Sequence, residues 1–65
     1  MNEKYEAVLA GRRFTIEQDL PEIGWYLQEF ENGVSVSDYL QDTFELAIQH
    51  ANEVYGIPAE AWKKI

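Results

Sequence analysis

Asp38, Asp42 and His50 are the residues whose types could support acid–base or metal chemistry. Two carboxylates can hold a hard cation or separate their pKa values, and an imidazole can share the task. His50 is the one histidine and there is no cysteine, so neither a zinc knuckle nor a disulfide framework is available. Ser35 and Ser37 supply hydroxyls, but no spacing pairs either with His50. A histidine without a nucleophile and an orienting partner is a poor catalyst. A calcium loop would need further oxygen ligands at fixed spacing and a glycine, which this stretch lacks. A metal-binding or enzymatic site at Asp38, Asp42 and His50 is therefore an outlying alternative. The expectation is a non-enzymatic protein without a cofactor.

Tyr26, Phe30 and Tyr39 point to a different kind of work. If a helix covers one side of a sheet, these three share the other side and form an exposed aromatic group of the sort that marks an interface. They are the expected partner-binding residues, for a protein partner or a second copy of the chain. A register that buries them, or a tail that folds over them and brings in Trp62, is the competing reading. Aromatics on an open sheet also suit single-stranded RNA, but such platforms need a basic surround. Here Lys4, Arg12, Arg13, Lys63 and Lys64 form no long patch on a chain of net charge −7, which disfavours direct nucleic-acid binding. The same acidity permits a basic protein partner, so the alternative function is an acidic inhibitor, antitoxin-like in kind.

The elements that must position these residues begin with the stretch from Asp42 to Ile57. Phe44, Ala47, Ile48, Ala51, Val54 and Tyr55 recur at helical spacing. Asp42 with Glu45 fits a capping box, and Gly56 followed by Pro58 fits a stop. His50 flanks the apolar arc, and Leu46 lies on the polar side, where Trp62 of a returning tail could cover it.

Upstream the period changes to two. Residues 1–4 read as a frayed terminus. Tyr5 to Ala10 and Arg13 to Gln18 form a hairpin about a Gly11-Arg12 turn of type II′. In that register Leu9 faces Phe14, Ala7 faces Ile16, and Glu6 faces Glu17. Asp19-Leu20-Pro21-Glu22 reads as a connection. Trp25 to Glu31 and Val34 to Leu40 flank Asn32-Gly33, the strongest short hairpin signal. Trp25, Leu27, Val36 and Leu40 are expected under the helix. Glu29 and Asp38 sit awkwardly on that face, at its rim, unless a bulge shifts the register. The fold class is α+β: a four-stranded antiparallel meander (ββββ), one C-terminal helix packed on one face, and a short helical tail from Pro58 in place of a strand.

Sixty-five residues make a single small domain, 1–65, near the lower limit for a core without disulfides or metal. Two tryptophans, four tyrosines and three phenylalanines give that core large pieces to bury. The longest apolar run, Ala7 to Ala10, is too short for a membrane span or signal-peptide core. A cytoplasmic protein is expected.

Two fragments, Asp19-Leu20-Pro21 after the first hairpin and Asp42-Thr43-Phe44-Glu45-Leu46-Ala47, resemble the small HicB-type antitoxins of bacteria. That family implies a small α+β domain that holds a toxin. Here the gap between the fragments is longer, contains a whole Asn-Gly hairpin, and no separate DNA-binding tail follows. Gly24-Trp25-Tyr26-Leu27, Asp38-Tyr39-Leu40-Gln41-Asp42, Gly56-Ile57-Pro58 and Trp62 are similar to a family of small uncharacterised bacterial proteins, a likeness that implies no activity.

Overall fold

The computed structural model describes residues 3–18 and 24–65. The strands β1 (Lys4–Leu9), β2 (Arg12–Gln18), β3 (Trp25–Glu31) and β4 (Val34–Gln41) precede the helix α1 (Phe44–Tyr55). A 3-10 turn (Ala59–Ala61) and a short strand β5 (Lys63–Lys64) follow. The sheet order is β4-β3-β2-β1-β5, an antiparallel meander with the last strand on the β1 edge. This is the expected α+β architecture with two changes at its ends. Strand β1 already begins at Lys4, and the tail ends as a strand after its turn, pairing Lys64 with Tyr5 and Lys63 with Glu6. The Asp19 to Glu22 connection lies outside the described residues.

In the first hairpin the turn is Ala10-Gly11, both at positive φ (53° and 78°), one residue earlier than expected. Two positive φ values give the primed turn whose twist matches that of the strands. Ala7 now faces Phe14 and Tyr5 faces Ile16, which keeps the apolar side intact. Lys4 rather than Glu6 meets Glu17, so a like-charge pair is replaced by an opposite-charge one.

The second hairpin turns at Asn32-Gly33 as expected, and Phe30 faces Ser35. The next pair is Glu29 with Ser37, so Val36 is an extra residue, a β-bulge. A single added residue moves every later side chain to the opposite face. Asp38 leaves the helix side and Tyr39 enters it, opposite Leu27. Val36 and Leu40, expected beneath the helix, are exposed at 49% and 48%. The bulge thus turns the Asp38 carboxylate away from the helix side and brings the Tyr39 ring to that side, where it stays 38% exposed.

Strand β3 enters through a tight contact. Gly24 has φ 120°, and a Cβ there would stand 2.3 Å from the Gln41 carbonyl oxygen. No side chain fits that approach, so the start of β3 can lie against the end of β4 only with glycine here.

Helix α1 is capped by Thr43, whose Oγ1 accepts from the Leu46 amide at 3.1 Å. Asp42 precedes the cap and Glu45 lies in the first turn, so the reciprocal box expected from those two carboxylates does not form. Thr43 has the extended backbone a cap requires and its hydroxyl is in reach. At the other end the amides of Gly56 and Ile57 turn back onto the Asn52 and Ala51 carbonyls, at 2.9 and 3.3 Å.

The core joins Ala7, Phe14, Ile16 and Leu27 of the sheet to Ala47 and Ala51 of the helix. Two alanines on the inner stripe let the helix lie close to the strands. Ile57, just beyond the helix, is fully buried, whereas Val54 is 52% exposed. The return of the chain after Gly56 therefore fills the place expected for Val54. Phe44 joins Tyr5 and Trp25 at ring-centroid distances of 4.6 and 5.0 Å, and Tyr55 meets Phe14 at 4.9 Å.

Candidate functional site

Among the described residues, no second layer packs on the face of the sheet turned away from α1. Rows of side chains cross it, set by the register. Lys4, Glu17, Tyr26 and Leu40 make one row, and Val8, Arg13, Phe30 and Ser35 another. Between them run Lys63, Glu6, Thr15, Gln28 and Asp38. The β3–β4 half thus carries Tyr26, Phe30 and Leu40, with Gln28 and Asp38 between them and Ser35 beside Phe30, and the β1–β5 half is mostly charged.

Opposite charges alternate in that half. Arg13 Nε pairs with a Glu6 carboxylate oxygen, and its guanidinium carbon lies 5.1 Å from the Phe30 ring centroid. A cation over an aromatic face adds attraction to the hydrophobic contact. Thr15 belongs to the same face and is wholly buried, and its hydroxyl has no hydrogen-bond partner among the described residues. Among the described residues, Lys4, Arg13 and Lys63 balance Glu6, Glu17 and Asp38, so their formal charges on this face cancel.

Tyr26 and Phe30 share this face as expected, but Tyr39 does not. The Val36 bulge turns it to the helix side, where its ring lies 4.5 Å from the His50 ring. Leu40 takes the place beside Tyr26. The tail does not fold over the face, because Trp62 packs with the partly buried residues around the core on the helix side.

The bulge also separates the acid–base candidates. Asp38 is on the open face, while His50 is on the helix side with Nδ1 3.2 Å from Gln41 Nε2. Asp42 is exposed ahead of the helix. Among the described residues no group of three or more His, Cys, Asp or Glu side chains is placed to hold a metal ion.

One polar cluster was not singled out from the sequence. Glu29, expected at the rim, is 5% exposed under the C-terminal end of α1. Arg12 forms an ion pair with its Oε2, Ser37 donates to Oε1 at 3.4 Å, and Ser37 Oγ lies 2.9 Å from the Tyr55 hydroxyl. The Arg12 guanidinium also lies over the Phe14 and Tyr55 rings, at 5.7 and 6.0 Å. The cluster ties β2, β3 and β4 to the helix end. Its signal in the sequence was an acid on an apolar strand face with a basic residue at a neighbouring turn, and the pairing follows only once the register is known.

Among the described residues no helix is long and apolar enough to cross a membrane. No protein-family model, curated protein or solved structure matches the chain.

Proposed function

We propose that this chain is a non-enzymatic protein-interaction module that pairs with a second copy of itself through the open face of the sheet. The observation that carries this reading is the cancellation of charge among the described residues of that face, on a chain whose net charge is −7. Like-charged molecules approach with least repulsion where the local field is smallest. Tyr26, Phe30 and Leu40 supply apolar contacts toward the β4 edge, and the alternating lysines, arginine and acids supply charges able to match a second copy. A standard interface covers about 800 Å² per partner, and burial on that scale adds what a 65-residue core lacks. The absence of cysteine suits a reducing compartment, and the proposal places the protein in the bacterial cytoplasm.

Sedimentation of the wild type, Tyr26→Ser/Leu40→Ser and Tyr39→Ser tests it. The wild type and Tyr39→Ser should sediment as dimers at about 50 μM, and the double variant as a folded monomer. A wild type that stays monomeric at several hundred micromolar overturns the proposal.

A second reading, an acidic inhibitor or antitoxin-like protein that holds a basic partner, is supported by the helix side. Asp42, Glu45, Glu53 and Glu60 are exposed there, and none forms an ion pair among the described residues. Capture of such a partner should weaken steeply between low and high salt, and salt-indifferent capture would contradict it.

A further inference from the structure

Where α1 begins, Tyr5, Phe44, Glu45, Ile48, Ala59 and Trp62 line an open groove of about 420 Å³. It lies on the helix side, away from the face proposed for pairing, and the argument for it is independent. Its walls are built largely from rings. Phe44 leans on Tyr5 at 4.6 Å, and Trp62 closes the groove from the returning tail. Glu45 is its only charged lining residue, exposed and without an ion pair or side-chain hydrogen bond among the described residues. Lys64, the ammonium that returns to this end of β1, is engaged by Glu3 at 3.5 Å instead.

Aromatic walls with one free carboxylate at the lip select a particular chemistry. An anion would meet both Glu45 and the field of a strongly acidic chain. A neutral apolar molecule would leave the carboxylate unused. A cation with apolar substituents uses both, because ring faces attract positive charge and the carboxylate adds a Coulomb contact. We propose that this groove is a binding site for a small organic ammonium cation, its alkyl groups against Tyr5, Phe44 and Trp62 and its charge facing Glu45.

The test titrates choline and its uncharged isostere 3,3-dimethyl-1-butanol into isotopically labelled full chain, followed by NMR at the indole N–H of Trp62 and of Trp25. For a ligand this small in an open groove, choline should saturate with a Kd on the order of a millimolar, shifting the Trp62 signal more than that of Trp25. The isostere should bind about ten-fold more weakly. Glu45→Gln, an exposed change that needs no repacking, should weaken choline about two- to five-fold and leave the isostere unaffected. Trp62→Leu should abolish the saturable choline shifts of the Phe44, Glu45 and Ile48 backbone amides, and its spectrum reports independently whether that variant folds. Equal affinity for choline and isostere, an unaltered choline affinity in Glu45→Gln, or no saturable shift up to about 20 mM overturns the proposal.

Discussion

Arg12→Ala should destabilise the protein far more than the loss of an ordinary surface arginine. Its partner, Glu29, is 5% exposed, and after the substitution the Ser37 hydroxyl at 3.4 Å is the one remaining polar contact to its carboxylate among the described residues. Breaking a buried ion pair costs about 3–5 kcal/mol, because the remaining charge stays out of water. The Arg12 side chain is 46% exposed, so water can enter where it stood, and the cost falls to about 2 kcal/mol. For a domain of this size that corresponds to a Tm lower by about 8–16 °C, a large part of a total stability of about 3–10 kcal/mol. Glu29→Leu alone should cost about 1 kcal/mol, since the half-exposed guanidinium can turn to solvent. Arg12→Met/Glu29→Leu removes both charges while a methionine still covers the Phe14 and Tyr55 rings, and it should fall within about 1 kcal/mol of the wild type. Urea denaturation of these four proteins and of Arg12→Met, the single variant that closes the cycle with Glu29→Leu, followed by circular dichroism, gives the coupling. An Arg12→Ala loss below about 0.5 kcal/mol, or a double variant as unstable as the sum of the singles, would refute the reasoning.

Other substitutions test the register and the ends of the elements. Gly24→Ala should cost about 3 kcal/mol or more, because the added methyl meets the Gln41 carbonyl in a backbone region closed to alanine; a thermal melt within 2 °C of the wild type would contradict that contact. Ala10→Asn should raise stability by about 0.5–1 kcal/mol if Ala10 is the first turn residue at positive φ, whereas a turn at Gly11-Arg12 predicts no gain. Thr43→Ala should cost about 1 kcal/mol and Asp42→Ala distinctly less, a ranking that the Asp42 cap would reverse. Ile57→Ala should cost about 2–5 kcal/mol and Val54→Ala under about 1 kcal/mol, measured by the same denaturation.

The order of elements was legible because each rests on local chemistry. Asn32-Gly33 marks its turn, the 3.6 spacing from Phe44 to Tyr55 marks the helix, and Gly56 with Pro58 marks its end. What escaped depends on contacts between elements. Alternating apolar residues on both faces of β3 and β4 leave two assignments open, and one inserted residue at Val36 exchanges the roles of Tyr39 and Leu40. Glu29 looks like a rim acid until the register of β2 places Arg12 beside it. Ala10 is an unusual residue for positive φ, so the glycine after it drew the turn one position along. Of the aromatic group expected on the open face, Tyr26 and Phe30 were legible from alternation alone. Tyr39 was not, since its face is decided by the bulge upstream of it.

The proposed self-association places the second copy on the open face of the sheet. The most direct measurement is isotope-filtered NMR on a mixture of labelled and unlabelled protein near 1 mM. Intermolecular contacts from Tyr26, Phe30 and Leu40 are expected, with none from Tyr39 or the outer surface of α1. Intermolecular contacts confined to the helix side, or none in a sample that sediments as a monomer, would contradict it.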